Sequence, residues 1–99
     1  MEAELHRILM ELDNKFEIDI KDYFKLKVSD RKELSQIIFE HFKPSINNNP
    51  LSIISLRSAF VIKLEEYEKQ ERFEMCDLYK RVIFEIDHFK FTPNDFMSE

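Results

Sequence analysis

The chain contains no glycine at all, where an ordinary sequence of this length would carry about seven. Glycine takes positive φ at no steric cost. Without it, type I′ and II′ hairpin turns, G1 bulges and Schellman caps have to be made by Asn or avoided. Sheet-rich folds depend on such turns, so the weight of expectation moves to helices. The same absence removes the Gly-rich phosphate cradles of the dinucleotide fingerprint and the P-loop, which need bare backbone close to phosphate oxygens.

Ninety-nine residues close one hydrophobic core and no more, so residues 1–99 are expected to form a single domain. Ten Phe within a 43% hydrophobic chain supply enough apolar surface to offset the ordering entropy, although 35% of the residues are charged. A formal charge of −5 disfavours polyphosphate and suits a basic or mixed partner. The opening Met1-Glu2-Ala3-Glu4 lacks the basic start of a secretory signal. The longest purely apolar run is Ala59-Phe60-Val61-Ile62, too short to enter a membrane. A lone cysteine, Cys76, makes no internal disulfide and fits a reducing compartment. A soluble, cytoplasmic protein without membrane contact is therefore expected.

Leu5, Ile8, Leu9 and Leu12 recur at three- and four-residue steps, which predicts a helix over about 2–15. From Phe16 the period becomes two. Phe16, Ile18 and Ile20 alternate with acids, and Phe24, Leu26 and Val28 with lysines, so residues 16–28 read as two short strands or an extended connector laying alternate side chains on the core. Asp30 with Glu33 resembles a capping box and starts a second helix. Its inner face is Leu34, Ile37, Ile38, His41 and Phe42, and Pro44 is expected to stop it at Lys43. Asn49-Pro50 reads as the cap and first residue of a third helix, with Ile53, Leu56, Phe60, Leu64 and Tyr67 in line. Met75, Leu78, Tyr79, Val82, Ile83 and Ile86 define a fourth. A turn near Gln70-Glu71-Arg72 would make residues 50–90 an αα-hairpin, although one continuous helix is also compatible with the pattern. Residues 92–99 read as a flexible tail.

Candidate chemistry is sparse. His6, His41 and His88 share no short ligand spacing, so no metal and no cofactor is expected. Cys76 falls on the inner side of the hairpin as a small packing residue, with no histidine paired to it in sequence. The run of carboxylates from Glu65 to Glu74 reads as solvated helix face. Lys21, Lys25, Lys27, Arg31 and Lys32 lie beside Tyr23 and Phe24, the elements of a nucleic-acid contact, but Asp19, Asp22, Asp30 and Glu33 interleave with them. A mixed solvated edge is the favoured reading.

Two stretches resemble known families. Phe73-Glu74 at the turn, the small Cys76, Tyr79-Lys80 and Ile83 make residues 63–86 similar to the UVR motif, the helical hairpin of UvrB- and UvrC-type proteins. That resemblance implies a hairpin for protein–protein or self-association. Leu12, Phe16-Glu17-Ile18-Asp19-Ile20 and Val28-Ser29-Asp30 make residues 8–38 resemble the packing pattern of acyl carrier helices. The modified serine would fall near Glu2, so no carrier function is implied.

The expectation is an all-α or mostly α bundle of about four helices, with a short extended segment around residues 16–28. Residues 1–43 would hold the N-terminal helices and connector, and 50–90 the hairpin. No catalytic residues are assigned. The favoured function is a non-enzymatic adaptor or regulatory subunit that meets another protein, or a second copy of itself, through Phe73, Met75, Tyr79, Val82, Ile83 and Ile86. The competing reading is an acidic inhibitor of the immunity, antitoxin or phage-antagonist type that covers a basic site. On the adaptor reading, Tyr79→Asp is expected to abolish association and leave the other helices folded.

Overall fold

A computed structural model describes residues 2–17 and 22–90 of the chain. It is an all-α bundle of four helices: α1 (Glu2–Lys15), α2 (Val28–Asn48), α3 (Ser52–Lys69) and α4 (Phe73–His88). No strand occurs among the described residues. Helices α3 and α4 form the expected hairpin, α1 packs on α3, and α2 packs mainly on α4. Each helix sends a stripe inward at three- and four-residue steps: Ile8 and Leu12; Ile38, Phe39, Phe42 and Ile46; Leu56, Ala59, Phe60 and Tyr67; Met75, Leu78, Tyr79, Val82 and Ile86. Together they make one contiguous core. The tail expected over 92–99, and Ile18, Ile20 and Lys21 of the connector, lie outside the described residues.

The connector is organised differently from its period-two reading. Tyr23–Lys25 form one 3₁₀ turn. With three residues per turn, Tyr23 and Leu26 share a side, so Tyr23 is buried and Leu26 half-buried, while Phe24 and Val28 face outward. Tyr23 is inward because its hydroxyl finds an acceptor, donating to Asp77 Oδ2 of α4 across 2.7 Å. The second helix then starts at Val28 rather than after an Asp30 cap. Lys27 is its boundary residue and offers no side-chain cap. The start is fastened instead by Arg31, which lies over the Tyr23 and Phe24 rings and donates to the Phe24 carbonyl.

Pro44 does not stop α2, which continues to Asn48. A proline inside a helix costs about 3 kcal/mol, because a donor is lost and the ring presses on the carbonyl four residues back. Here that carbonyl belongs to Glu40, and both Glu40 and Pro44 lie on the exposed side, where solvent can serve it. The turn beyond is retained because Ile46 is in the core and the Asn49 N–H closes onto the Ser45 and Ile46 carbonyls at 3.1 Å each. The third helix begins at Ser52, two residues later than the Asn49-Pro50 signal. Asn49 still shapes the entry, since its Oδ1 accepts from the Leu51 N–H and its carbonyl from the Ser52 N–H.

The missing glycine shows most clearly between α3 and α4. Arg72 N–H donates to the Tyr67 carbonyl at 3.0 Å and Glu71 N–H to the Glu68 carbonyl at 3.2 Å, the paired bonds of a Schellman motif. Its left-handed position is Glu71, at φ 56°. The cap is thus neither avoided nor made by Asn: the two carbonyl bonds and the docking of α4 hold a glutamate where glycine would sit without strain. Glu71→Gly is therefore expected to raise unfolding free energy by about 1 kcal/mol, and β-branched Glu71→Val to lower it. Denaturant midpoints measure this, and an unchanged or lower midpoint for the glycine variant would refute strain at this turn.

Candidate docking grooves

The six residues expected to meet a partner do not share a surface. Met75, Tyr79, Val82 and Ile86 are core residues, Ile83 is half-buried against them, and only Phe73, 60% exposed, reaches out freely. The regular α4 stripe is the side that closes the bundle, so periodicity located the buried face and not the surplus. Tyr79 has no exposed surface, and its hydroxyl donates to the Phe16 carbonyl at 3.2 Å. Tyr79→Asp would consequently bury a carboxylate and unfold the bundle instead of dissociating a folded complex.

The apolar surplus is on α3. Between Ser52 and Ile62 the only charged residue is Arg57, so this half of α3 carries more apolar side chains than a single buried face takes. Helices α1 and α4 cover two flanks. The rest is a trough of about 810 Å³ floored by Ile53, Ile54, Ser58, Val61 and Ile62, with Leu5 of α1 on one wall and Ile86 and Phe89 on the other. Ile54 remains 52% exposed. Arg57 closes onto Asp87 through two bonds, Nε to Oδ1 at 2.6 Å and Nη2 to Oδ2 at 3.2 Å. The bond from Arg57 holds the Asp87 carboxyl below its ordinary range against the upward push of burial. The single charge of this face therefore arrives already neutralised, and apolar contact is what the trough can offer.

A second groove, of about 340 Å³, lies between α2 and α4 and is lined by Lys32, Ser35, Asp77, Lys80, Arg81, Phe84 and Glu85. Its centre is occupied chemically. Asp77 Oδ2 accepts from Tyr23 and, at 2.8 Å, from Arg81 Nε. Burial pushes the Asp77 carboxyl up, but these bonds outweigh it and leave the group below the ordinary carboxylate value. Burial and the bond to Asp77 push the Tyr23 phenol up to about 12. Phe84, 54% exposed, stacks on His88 with ring centroids 3.9 Å apart at the rim.

The remaining candidates are dispersed. Of the described residues of the basic run, Arg31 is committed to Tyr23 and Phe24 and Lys25 pairs with Asp22 at 3.6 Å; Lys21 lies outside the described residues. His6 is exposed. His41 bonds Glu11 at 2.9 Å, with Nε2 the donor because a carboxylate only accepts, and His88 Nδ1 donates to the Phe84 carbonyl. No three His, Cys, Asp or Glu converge as metal donors among the described residues. Cys76 is buried, and burial, aided by Glu68 and Glu74, pushes its thiol up. That is the environment of a packing side chain, since a nucleophile needs the opposite shift. No described helix is long and apolar enough to cross a membrane.

The Tyr23–Asp77 bond carries a pH signature. A phenol whose folded value lies above its unfolded one stabilises the fold fully below about pH 10, and loses that contribution as pH rises towards 12. Thermal unfolding is expected to drop across that window, with a shallower drop in Tyr23→Phe; identical slopes for the two proteins would contradict the assignment.

Compared with protein-family models, with curated proteins and with solved structures, the chain matches none.

Proposed function

We propose that the chain is a non-enzymatic docking module, an adaptor or regulatory subunit, and that its contact surface is the outer face of the α3–α4 hairpin rather than the inner stripe of α4. The carrying observation is the α3 trough, in which Ile54, Ser58 and Val61 line up at four- and three-residue steps, the spacing that receives the apolar stripe of a partner helix or extended segment. Burying these side chains supplies affinity. The Arg57–Asp87 clasp at mid-trough gives the partner a polar mark by which to set register.

The test is capture of partners from the native cell by the intact chain and by Ile54→Asp, a solvent-side change that leaves the core residues alone. A partner held by the native chain is expected to bind the variant at least about tenfold more weakly, the effect of losing one or two buried anchors, while helicity by circular dichroism stays unchanged. Equal affinity for both proteins would remove the trough from the interface. An on-rate that collapses with added salt would favour the acidic-inhibitor reading, because apolar docking is little screened.

A further inference from the structure

The groove between α2 and α4 gathers positive charge in a chain that is negative as a whole. Lys32 lines it from α2, and Lys80, Arg81 and Phe84 line it from one side of α4, at three- and four-residue steps. On other faces of the bundle Arg7, Lys43, Arg57 and Arg72 each meet a carboxylate. Lys32 and Lys80 form no ion pair among the described residues, although they share one groove. Asp77 cannot answer them, because it is already engaged by Arg81 Nε and the Tyr23 hydroxyl. Glu85, the other acidic lining residue, stands more than a turn beyond Lys80, at the Phe84 end. Like charges lining one groove repel, and an anion seated between them turns that cost into attraction. The space for it exists because Ser35, buried and small, donates to the Lys32 carbonyl at 2.7 Å instead of filling the groove. The resulting volume, about 340 Å³, falls within the roughly 300–1,000 Å³ of small-molecule sites. Phe84, about 6 Å along the helix from Lys80, offers an apolar ring at the rim that is 54% exposed.

We propose that this groove binds a small planar molecule carrying one oxyanion, a phosphate or a carboxylate, with the anion between Lys32 and Lys80 and the ring against Phe84. Ammonium groups serve such an anion as point charges, and charge-assisted bonds are the strong ones. Arg81 adds guanidinium donors, and Asp77 is its positioning residue. Ring-on-ring contact with Phe84 supplies the apolar part of the affinity. Glu85 at the ring end repels a second anionic group, so the site selects molecules charged at one end only. The inference does not draw on the docking reading, since the α3 trough and this groove share no lining residue.

Amide NMR titration of the full chain with 1-naphthyl phosphate tests this. Saturable shifts are expected at Lys32, Ser35, Lys80, Arg81 and Phe84, with a Kd of about 1 mM or tighter. Inorganic phosphate, which lacks the ring, and 1-naphthol, which lacks the charge, are each expected to bind at least about tenfold more weakly. Affinity equal to that of 1-naphthyl phosphate from either would overturn the proposal. A parallel titration with 1-naphthoate separates the two sources of the anion: tighter naphthoate assigns the site to a carboxylic acid, tighter naphthyl phosphate to a phosphate ester. Lys32 and Lys80 are both exposed, so Lys32→Gln/Lys80→Gln is expected to weaken binding about tenfold with helicity unchanged. Phe84→Ala is expected to weaken it at least about threefold through the lost ring contact. The proposal fails if no saturable shift appears, if the shifts centre on Ile54 and Val61 of the trough, or if the double-glutamine chain binds undiminished.

Discussion

A chain of aromatic rings crosses the bundle, and the mutual placement of the helices depends on it. Phe16, just past α1, meets Phe42 of α2 at 5.8 Å; Phe42 meets Phe60 of α3 at 6.0 Å; Phe60 meets Tyr79 of α4 at 4.9 Å; and Tyr79 returns to Tyr67 of α3 at 5.3 Å. All four contacts are edge-on or tilted, the orientations that the ring quadrupole favours. Rings of this size tolerate little change in helix spacing, because a displaced ring leaves a void that its neighbours cannot close. The ladder thereby fixes α3 between α1 and α4, and so decides which side of α3 is left over.

Polar bonds fasten the ends of this frame where the rings stop. Lys63, almost fully buried, donates to Asp13 of α1 at 2.6 Å and to Glu66 at 3.2 Å. Burial pulls its ammonium down, and the two carboxylates more than restore it. Arg72 at the hairpin turn reaches Glu17 at 2.6 Å, and His41 joins α2 to α1 through Glu11. Each of these links draws on a carboxylate, so part of the acidity that looked available to a basic partner is spent on internal fastening. The charge of −5 is a property of the whole chain and does not collect where the apolar surplus lies.

The fold was legible in the sequence because its signals were local. The Leu5, Ile8, Leu12 step predicted α1 at its observed limits, and of the two readings the apolar stripes left open after Tyr67, a hairpin or one continuous helix, the structure takes the hairpin, with its turn at residues 70–72. Misreadings occurred where a long-range contact outweighed a local rule. Ile46 in the core carries α2 through Pro44, and Asp77, more than fifty residues away, turns Tyr23 inward where alternation favoured Phe24. The proposed docking surface was obscured for a different reason. Periodicity reports the side of a helix that must be buried, and on α4 that need is met inside the bundle. The trough had a subtler mark in the segment Ser52–Ile62, which holds more apolar residues than one face requires and a single charge among them.

The burial of Tyr23, Tyr67 and Tyr79 also determines how the molecule interacts with light. The chain has no tryptophan and these are its only tyrosines, so every strong near-ultraviolet chromophore sits in a fixed, asymmetric setting, one where the connector meets α4 and two between α3 and α4. The native protein should therefore carry a tyrosine circular-dichroism band that vanishes when the core loosens, and phenols shielded from iodinating or nitrating reagents. The molecule brings its own optical gauge of whether its interior is intact.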